Sequence, residues 1–157
     1  ESPFITQVYQ FSASFNSAIN DQVQWVTFGN TVNNNGANYS QGGPYTGSAM
    51  GNRAQDAMLL AAFNGTMEAV HLRTKAGLSG SGSIKIYDAR DGESVPNRLM
   101  KTKSINFNAT GYKGKKYTFT NPFYMTKNRI YAIKLSLTTT SVEDLSGAVV
   151  IKWDITS

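Results

Sequence analysis

The sequence contains no cysteine. That excludes a disulfide framework, a thiolate zinc site and a cysteine nucleophile, and it leaves the compartment open, because extracellular proteins need not carry disulfides. Histidine occurs once, as His71. A Ser-His-carboxylate triad would have to be built around that residue, and no nucleophile-elbow motif surrounds it. The sequence has no apolar run long enough to span a bilayer and no charged, apolar and cleavage regions of a signal peptide, so membrane insertion is not expected. Its opening on Glu1 rather than methionine reads as a processed product or as part of a longer chain with residues missing before it.

Charged residues are few, and fifteen basic against ten acidic side chains leave a net charge of +5. Such a balance favours anionic partners only where it is focused. The densest group is Lys101, Lys103, Lys113, Lys115 and Lys116, which reads as a solvated strand face. No arginine-rich arm, helix-turn-helix pattern or metal finger accompanies it, so no nucleic-acid partner is expected. Ten scattered acidic residues single out no carboxylate pair of the glycosidase kind. The glycine-rich stretches around 42–51 and 77–82 fit neither a P-loop nor a dinucleotide fingerprint. No catalytic residue and no cofactor is expected. Three Asn-x-Ser/Thr triplets, at Asn38, Asn64 and Asn108, are what fourteen asparagines and thirty Ser plus Thr produce by chance, so they carry no message.

What the sequence does have is period-two alternation. Between Asn64 and Asp88, Val70 and Leu72 oppose His71 and Arg73, and then Ile84 and Ile86 oppose Lys85 and Tyr87. Two half-buried strands joined by a Gly/Ser-rich connection predict a hairpin, with Asn64-Gly65 as the turn before it. Upstream, Tyr9, Phe11, Ala13 and Phe15 share one face of a strand over 4–15, and a second strand over 22–28 has apolar residues on both faces. Residues 56–63 form a continuous apolar run whose length favours a strand over a short helix. Downstream, strands are expected over 98–107, 116–120, 129–137 and 148–155, the last two central, with Pro122 breaking the pairing after Thr120.

Two polar stretches interrupt this pattern. Residues 30–53, rich in Gly, Asn and Ser, keep neither period and predict a long loop of the kind that commonly binds ligands. Tyr39 and Tyr45 on it have the amphipathic character of binding-loop contacts, or else pack the loop onto its own domain. Residues 88–96 predict a turn. Asp88, Asp91 and Glu93 could offer oxygens to a cation, but their spacing lacks the alternating carboxylates of a calcium loop, so no metal is expected. With eight to ten strands and no amphipathic helix, the pattern predicts one all-β domain, an antiparallel two-sheet β-sandwich with jelly-roll winding.

The order NGTMEAVHLRT, SIKIYDA, YTFTNPFYMTKNRIYAIKLSL and VVIKWDI resembles the β-sandwich domains of bacteriophage virion surface proteins. The matching positions are Gly65, Thr66, Val70, Leu72, Ile84, Ile86, Tyr87, Lys127, Asn128, Ile130, Ile133 and Trp153. The likeness covers roughly 57–155, lies mostly in core and turn positions, and carries over no catalytic residue. It implies a tail-fibre tip, a head fibre or a capsid decoration protein at the virion surface. Other virion proteins and further copies of the chain would be its partners, trimers favoured, and a host surface glycan its potential target. An exposed face bearing Val26, Phe28 or Val150 would then lie between subunits. The alternative is a secreted carbohydrate-binding or lectin-like module in which Trp25, Tyr39, Tyr45 or Tyr112 stack on sugar rings. A polysaccharide depolymerase is the third reading.

Overall fold

Strands form where apolar and polar residues alternate, because a half-buried ribbon must send every second side chain inward. The computed structural model of the chain describes residues 3–12, 23–26, 58–73, 78–89, 96, 98–109, 114–137 and 146–157. Nine strands are found among them: β1 (Phe4–Ser12), β2 (Val23–Trp25), β3 (Leu59–Leu60), β4 (Asn64–Arg73), β5 (Leu78–Ala89), β6 (Arg98–Ala109), β7 (Gly114–Met125), β8 (Ile130–Leu137) and β9 (Ser146–Asp154). All pairings are antiparallel. One sheet runs β1-β9-β4-β7 and the other β2-β8-β5-β6, with β3 sharing the β2 edge of β8. Successive strands cross from sheet to sheet at every step except between β2 and β3 and between β5 and β6, which is jelly-roll winding.

The core lies between the two inner faces. Met67, Val70 and Leu72 of β4 and Val149, Ile151 and Trp153 of β9 meet Ile84 and Ile86 of β5 and Tyr131, Ile133 and Leu135 of β8. Each such side chain contributes about 1.5–3 kcal/mol when withdrawn from water. Tyr131 closes one end. Its ring stands edge-on to Phe123 at 5.7 Å, and its hydroxyl accepts the Thr126 N–H at 2.6 Å.

The expected hairpin over 64–88 is not one. Strand β4 pairs with β7 and β9, whereas β5 pairs with β6 and β8 in the opposite sheet. Both arms do turn Val70, Leu72, Ile84 and Ile86 inward, and a crossover satisfies that requirement as fully as a hairpin does. Nor do the expected turns lie where Gly suggested. Asn64 and Gly65 open β4, and Leu78 to Gly82 pair with β6 from Ala109 to Ile105. A ladder held by backbone hydrogen bonds tolerates residues without side chains. The apolar run 56–63 yields only the two-residue β3 among its described positions.

Two sequence signals are realised closely. Between Met67↔Phe123 and Ala69↔Thr118 the ladder skips residues 119–122 of the edge strand β7, so Pro122 sits in a bulge where no N–H is required. The Lys127-Asn128 turn between β7 and β8 places Asn128 at φ +69°, in the left-handed region. It is pinned to the chain before β4: Asn128 N–H donates to Ala61 O at 2.7 Å, Ala61 N–H to Arg129 O at 2.9 Å, and Lys127 N–H to Asn64 Oδ1 at 2.8 Å. Asn128→Ala is expected to cost about 1–2 kcal/mol and Asn128→Gly almost nothing, measurable by urea denaturation, because a Cβ without a side-chain amide pays the left-handed penalty in full. Equal losses in the two variants would reject that cause.

The lysine cluster is not simply a solvated face. Lys101 and Lys115 span the open side between β6 and β7, donating to Asn121 O at 2.8 Å and Asn106 O at 3.2 Å while lying over the Phe119 and Tyr117 rings. Tyr117 OH donates to Asn106 O at 3.0 Å, and burial raises its pKa above the ordinary phenol value. The lysine stems roof the core's flank while their ammonium groups satisfy backbone carbonyls.

Candidate functional site

Strand register builds the outer face of the β1-β9-β4-β7 sheet row by row. Phe4 stands beside Asp154 and then Asn64. Thr6, Lys152, Thr66 and Tyr124 form the next row, and Val8, Val150, Ala69 and Thr118 the one after. Gln10, Ala148, His71 and Lys116 follow, and the last row holds Ser146, Arg73 and Gly114. The face is apolar across its middle and polar towards both ends. Phe4, Val8 and Tyr124 are 43%, 53% and 77% exposed, values high enough to leave their side chains open to a partner.

Each end of this face holds a shallow depression. One, of about 590 Å³, forms where Gly114, Ser146, Gly147 and Ala148 supply little side-chain bulk and His71, Arg73, Val8 and Gln10 stand around them. The other, of about 500 Å³, lies between Phe4 and Tyr124 with Asn64, Thr66, Lys152 and Asp154 between them. Lys152 Nζ rests over the Phe4 ring, 4.7 Å from its centroid. A third cleft of about 180 Å³ opens beside β1, between Ile5, Gln7, Leu60, Phe63, Trp153 and Ile155. There Gln7 Oε1 accepts Tyr9 OH at 2.7 Å and Trp153 Nε1–H at 3.1 Å. Burial raises the Tyr9 hydroxyl above its ordinary pKa, offset in part by its hydrogen bond with Trp153.

Few of the residues expected to bind fall on this face. Tyr39, Tyr45, Tyr112 and Phe28 lie outside the described residues, as does the 30–53 loop. Trp25 is described through its backbone, which pairs with Lys134, and not through its side chain. Val26 is fully buried in the domain's own core, its N–H donating to Ile133 O at 3.0 Å, so it offers no surface to a second subunit. Val150 stands on the outer face beside Val8, half-buried.

Asp88 is not available to a cation. Its carboxylate, 1% exposed, accepts Arg98 Nε and Nη2 at 2.7 and 2.6 Å and lies 3.4 Å from Arg129 Nη1. The hydrogen bonds that Arg98 donates to Asp88, more than the charge of that carboxylate, hold Arg98 above its ordinary pKa. Asp91 and Glu93 lie outside the described residues. Among the described residues, no cluster of three or more His, Asp or Glu side chains could hold a metal ion.

Sequence reasoning missed the Phe4–Tyr124 depression, although the signal was present. In NPFYM, Phe123 and Met125 are inward, so Tyr124 must point out. In FITQV, Phe4 shares the face of Thr6 and Val8.

No protein-family model and no curated protein matches the chain. Among solved structures, an arabinose-bound α-L-arabinofuranosidase aligns over 92% of this chain and 18% of its own at 10% identity and a TM-score of 0.40. A chain of infectious bursal disease virus, Gx strain, aligns over 96% of this chain and 33% of its own at 9% identity and a TM-score of 0.39. The Eiger TNF protein from S. frugiperda aligns over 90% of this chain and 91% of its own at 7% identity and a TM-score of 0.36. The chain thus spans under a third of the first two by length or close to it, and at these scores none assigns a residue role.

Proposed function

We propose that this protein is a non-enzymatic component of a phage particle surface, a fibre tip or decoration protein, that works by packing against further copies of itself, with a trimer favoured. The observation that supports this is the apolar row across the outer face of the β1-β9-β4-β7 sheet. Val8 and Val150 are directly paired, Ala69 adjoins them, and Val8 remains 53% exposed. A sheet face that presents aliphatic side chains at its centre, with polar residues on both sides, has the anatomy of an interface core inside a polar rim.

Sedimentation equilibrium tests it. The wild type is expected to associate in the micromolar range, and the Val8→Asp/Val150→Lys variant to remain monomeric at concentrations roughly 100-fold higher, about 2.7 kcal/mol per contact. Both side chains point away from the core, so the variant's melting curve should match that of dilute wild type. A wild-type chain that stays monomeric throughout this range removes the assembly reading.

A further inference from the structure

We infer that the depression between Phe4 and Tyr124 is a binding site for a neutral, pyranose-containing glycan. The inference goes beyond the assembly reading and does not depend on it, because the depression lies towards one end of the sheet while Val8 and Val150 occupy its middle.

The first argument is the placing of the rings. Phe4 is on edge strand β1 and Tyr124 on edge strand β7, so two aromatic residues bound a floor made by β9 and β4. Three strand spacings separate those edges by about 14 Å, an opening that suits a short oligosaccharide. Tyr124, 77% exposed, presents an apolar ring face with a polar tip, the combination that covers the C–H face of a sugar while leaving its hydroxyls free.

The second argument is the state of the polar atoms between the rings. Asp154 Oδ1 accepts Thr156 N–H at 3.0 Å and Thr156 Oγ1–H at 2.7 Å, which fixes the carboxylate and leaves Oδ2 without a hydrogen bond among the described residues. Asn64 Oδ1 is held by Lys127 N–H, which turns the Nδ2 donors away from that contact. Lys152 is positioned over Phe4 and forms no ion pair among the described residues. Acceptor and donors are therefore set in place before a ligand arrives, and binding need not pay to order them.

Charge selects the ligand class. Lys152 and Asp154 alternate on the same face of β9, about 6.6 Å apart along the strand, so one positive and one negative group share the floor. An anionic or cationic ligand would meet repulsion from one of them. Uncharged hydroxyls can accept from the ammonium and donate to the carboxylate. A second copy of the chain fits less well, since an apolar contact would bury these groups unpaired.

The test is calorimetric titration of the full chain with cellohexaose, maltohexaose and mannohexaose, with a hyaluronan hexasaccharide as the charged control. At least one neutral hexasaccharide is expected to bind with a Kd of about 1 mM or tighter, and Tyr124→Ala to weaken it about tenfold, while Tyr124→Phe retains most of the affinity. Asp154→Asn, which keeps the acceptor for Thr156, is expected to weaken binding without lowering the melting temperature. Val8→Asp/Val150→Lys should bind as the wild type does, which separates failure here from failure of the assembly reading. No binding by any of the three neutral sugars, preference for hyaluronan, or binding unchanged in Tyr124→Ala would overturn the assignment.

Discussion

Asp88→Ala is expected to lower the melting temperature by roughly 5–10 °C, corresponding to about 2–3 kcal/mol for a chain of this size. The cause is specific. Asp88 occupies the inward position that follows Ile84 and Ile86 on β5, opposite Arg98 on β6 and Tyr131 on β8, and it is fully buried. Its two oxygens take a bidentate fork from Arg98 and a longer contact from Arg129, tying the start of β6 and the residue before β8 to the middle strand between them. The order of effects is sharper than their size. Removing the carboxylate leaves two guanidinium groups that already reach water, with 27% and 37% of their side chains exposed. Removing Arg98 instead leaves a carboxylate that water does not reach, with one partner 3.4 Å away. Arg98→Met should therefore destabilise more than Asp88→Ala, while Asp88→Leu/Arg98→Met/Arg129→Met recovers much of the loss. Thermal melts followed by circular dichroism decide it, and an Asp88→Ala variant within about 0.5 kcal/mol of wild type would show that the cluster does not hold the sheet.

Gly65→Ala is expected to cost about 2–3 kcal/mol, at the upper end of what overpacking does. Gly65 lies in β4 directly opposite Trp153 of β9, and both point into the core. A Cβ at Gly65 would come within 2.6 Å of Trp153 Cε3 and 2.9 Å of Cζ3, and within 3.1 Å of the Lys152 carbonyl oxygen. The indole cannot easily retreat, because its Nε1–H is held by Gln7 across the β1-β9 pair. A double-mutant cycle isolates the clash. Trp153→Phe removes the atoms that the new methyl would strike, so Gly65→Ala/Trp153→Phe should be less unstable than the two single losses combined, by at least about 1 kcal/mol. Strict additivity would place the cost of Gly65→Ala in the strand backbone rather than in the ring.

The inward faces were readable in the sequence because alternation reports burial directly. Tyr131, Ile133 and Leu135, and Val149, Ile151 and Trp153, all lie where period two puts them. Ile155 does not: β9 ends at Asp154, and the residue after it is 44% exposed in a turn. Pairing was not readable. Alternation says which side chains point inward, but it is the same whether β4 bonds to β5 or faces it across the core, so the hairpin and the crossover share one pattern. Asp88 illustrates a signal that was present and given the wrong weight. An aspartate in the inward series Ile84, Ile86, Asp88 asks for a buried cationic partner, yet with Asp91 and Glu93 close behind it the stretch read as a solvated acidic turn. The Phe4–Tyr124 depression needed register as well, since residues on the first, fourth, seventh and ninth strands become neighbours only once the sheet order is known.

That sheet order also sets a schedule for making the protein. Phe4 faces Asp154 across the β1-β9 ladder, so β1 bonds along its length to a strand that leaves the ribosome much later. At about 5–20 residues per second, roughly 8–30 s pass between the synthesis of the two. Once made, β4 also lacks its β9 neighbour until that interval ends, and the sheet that carries the outer face cannot close before then. The β5-β6 pair, joined by a short connection, can form long before. Until β9 follows, β1 has no ladder partner, and an unpaired strand edge of this kind is open to pairing with another chain.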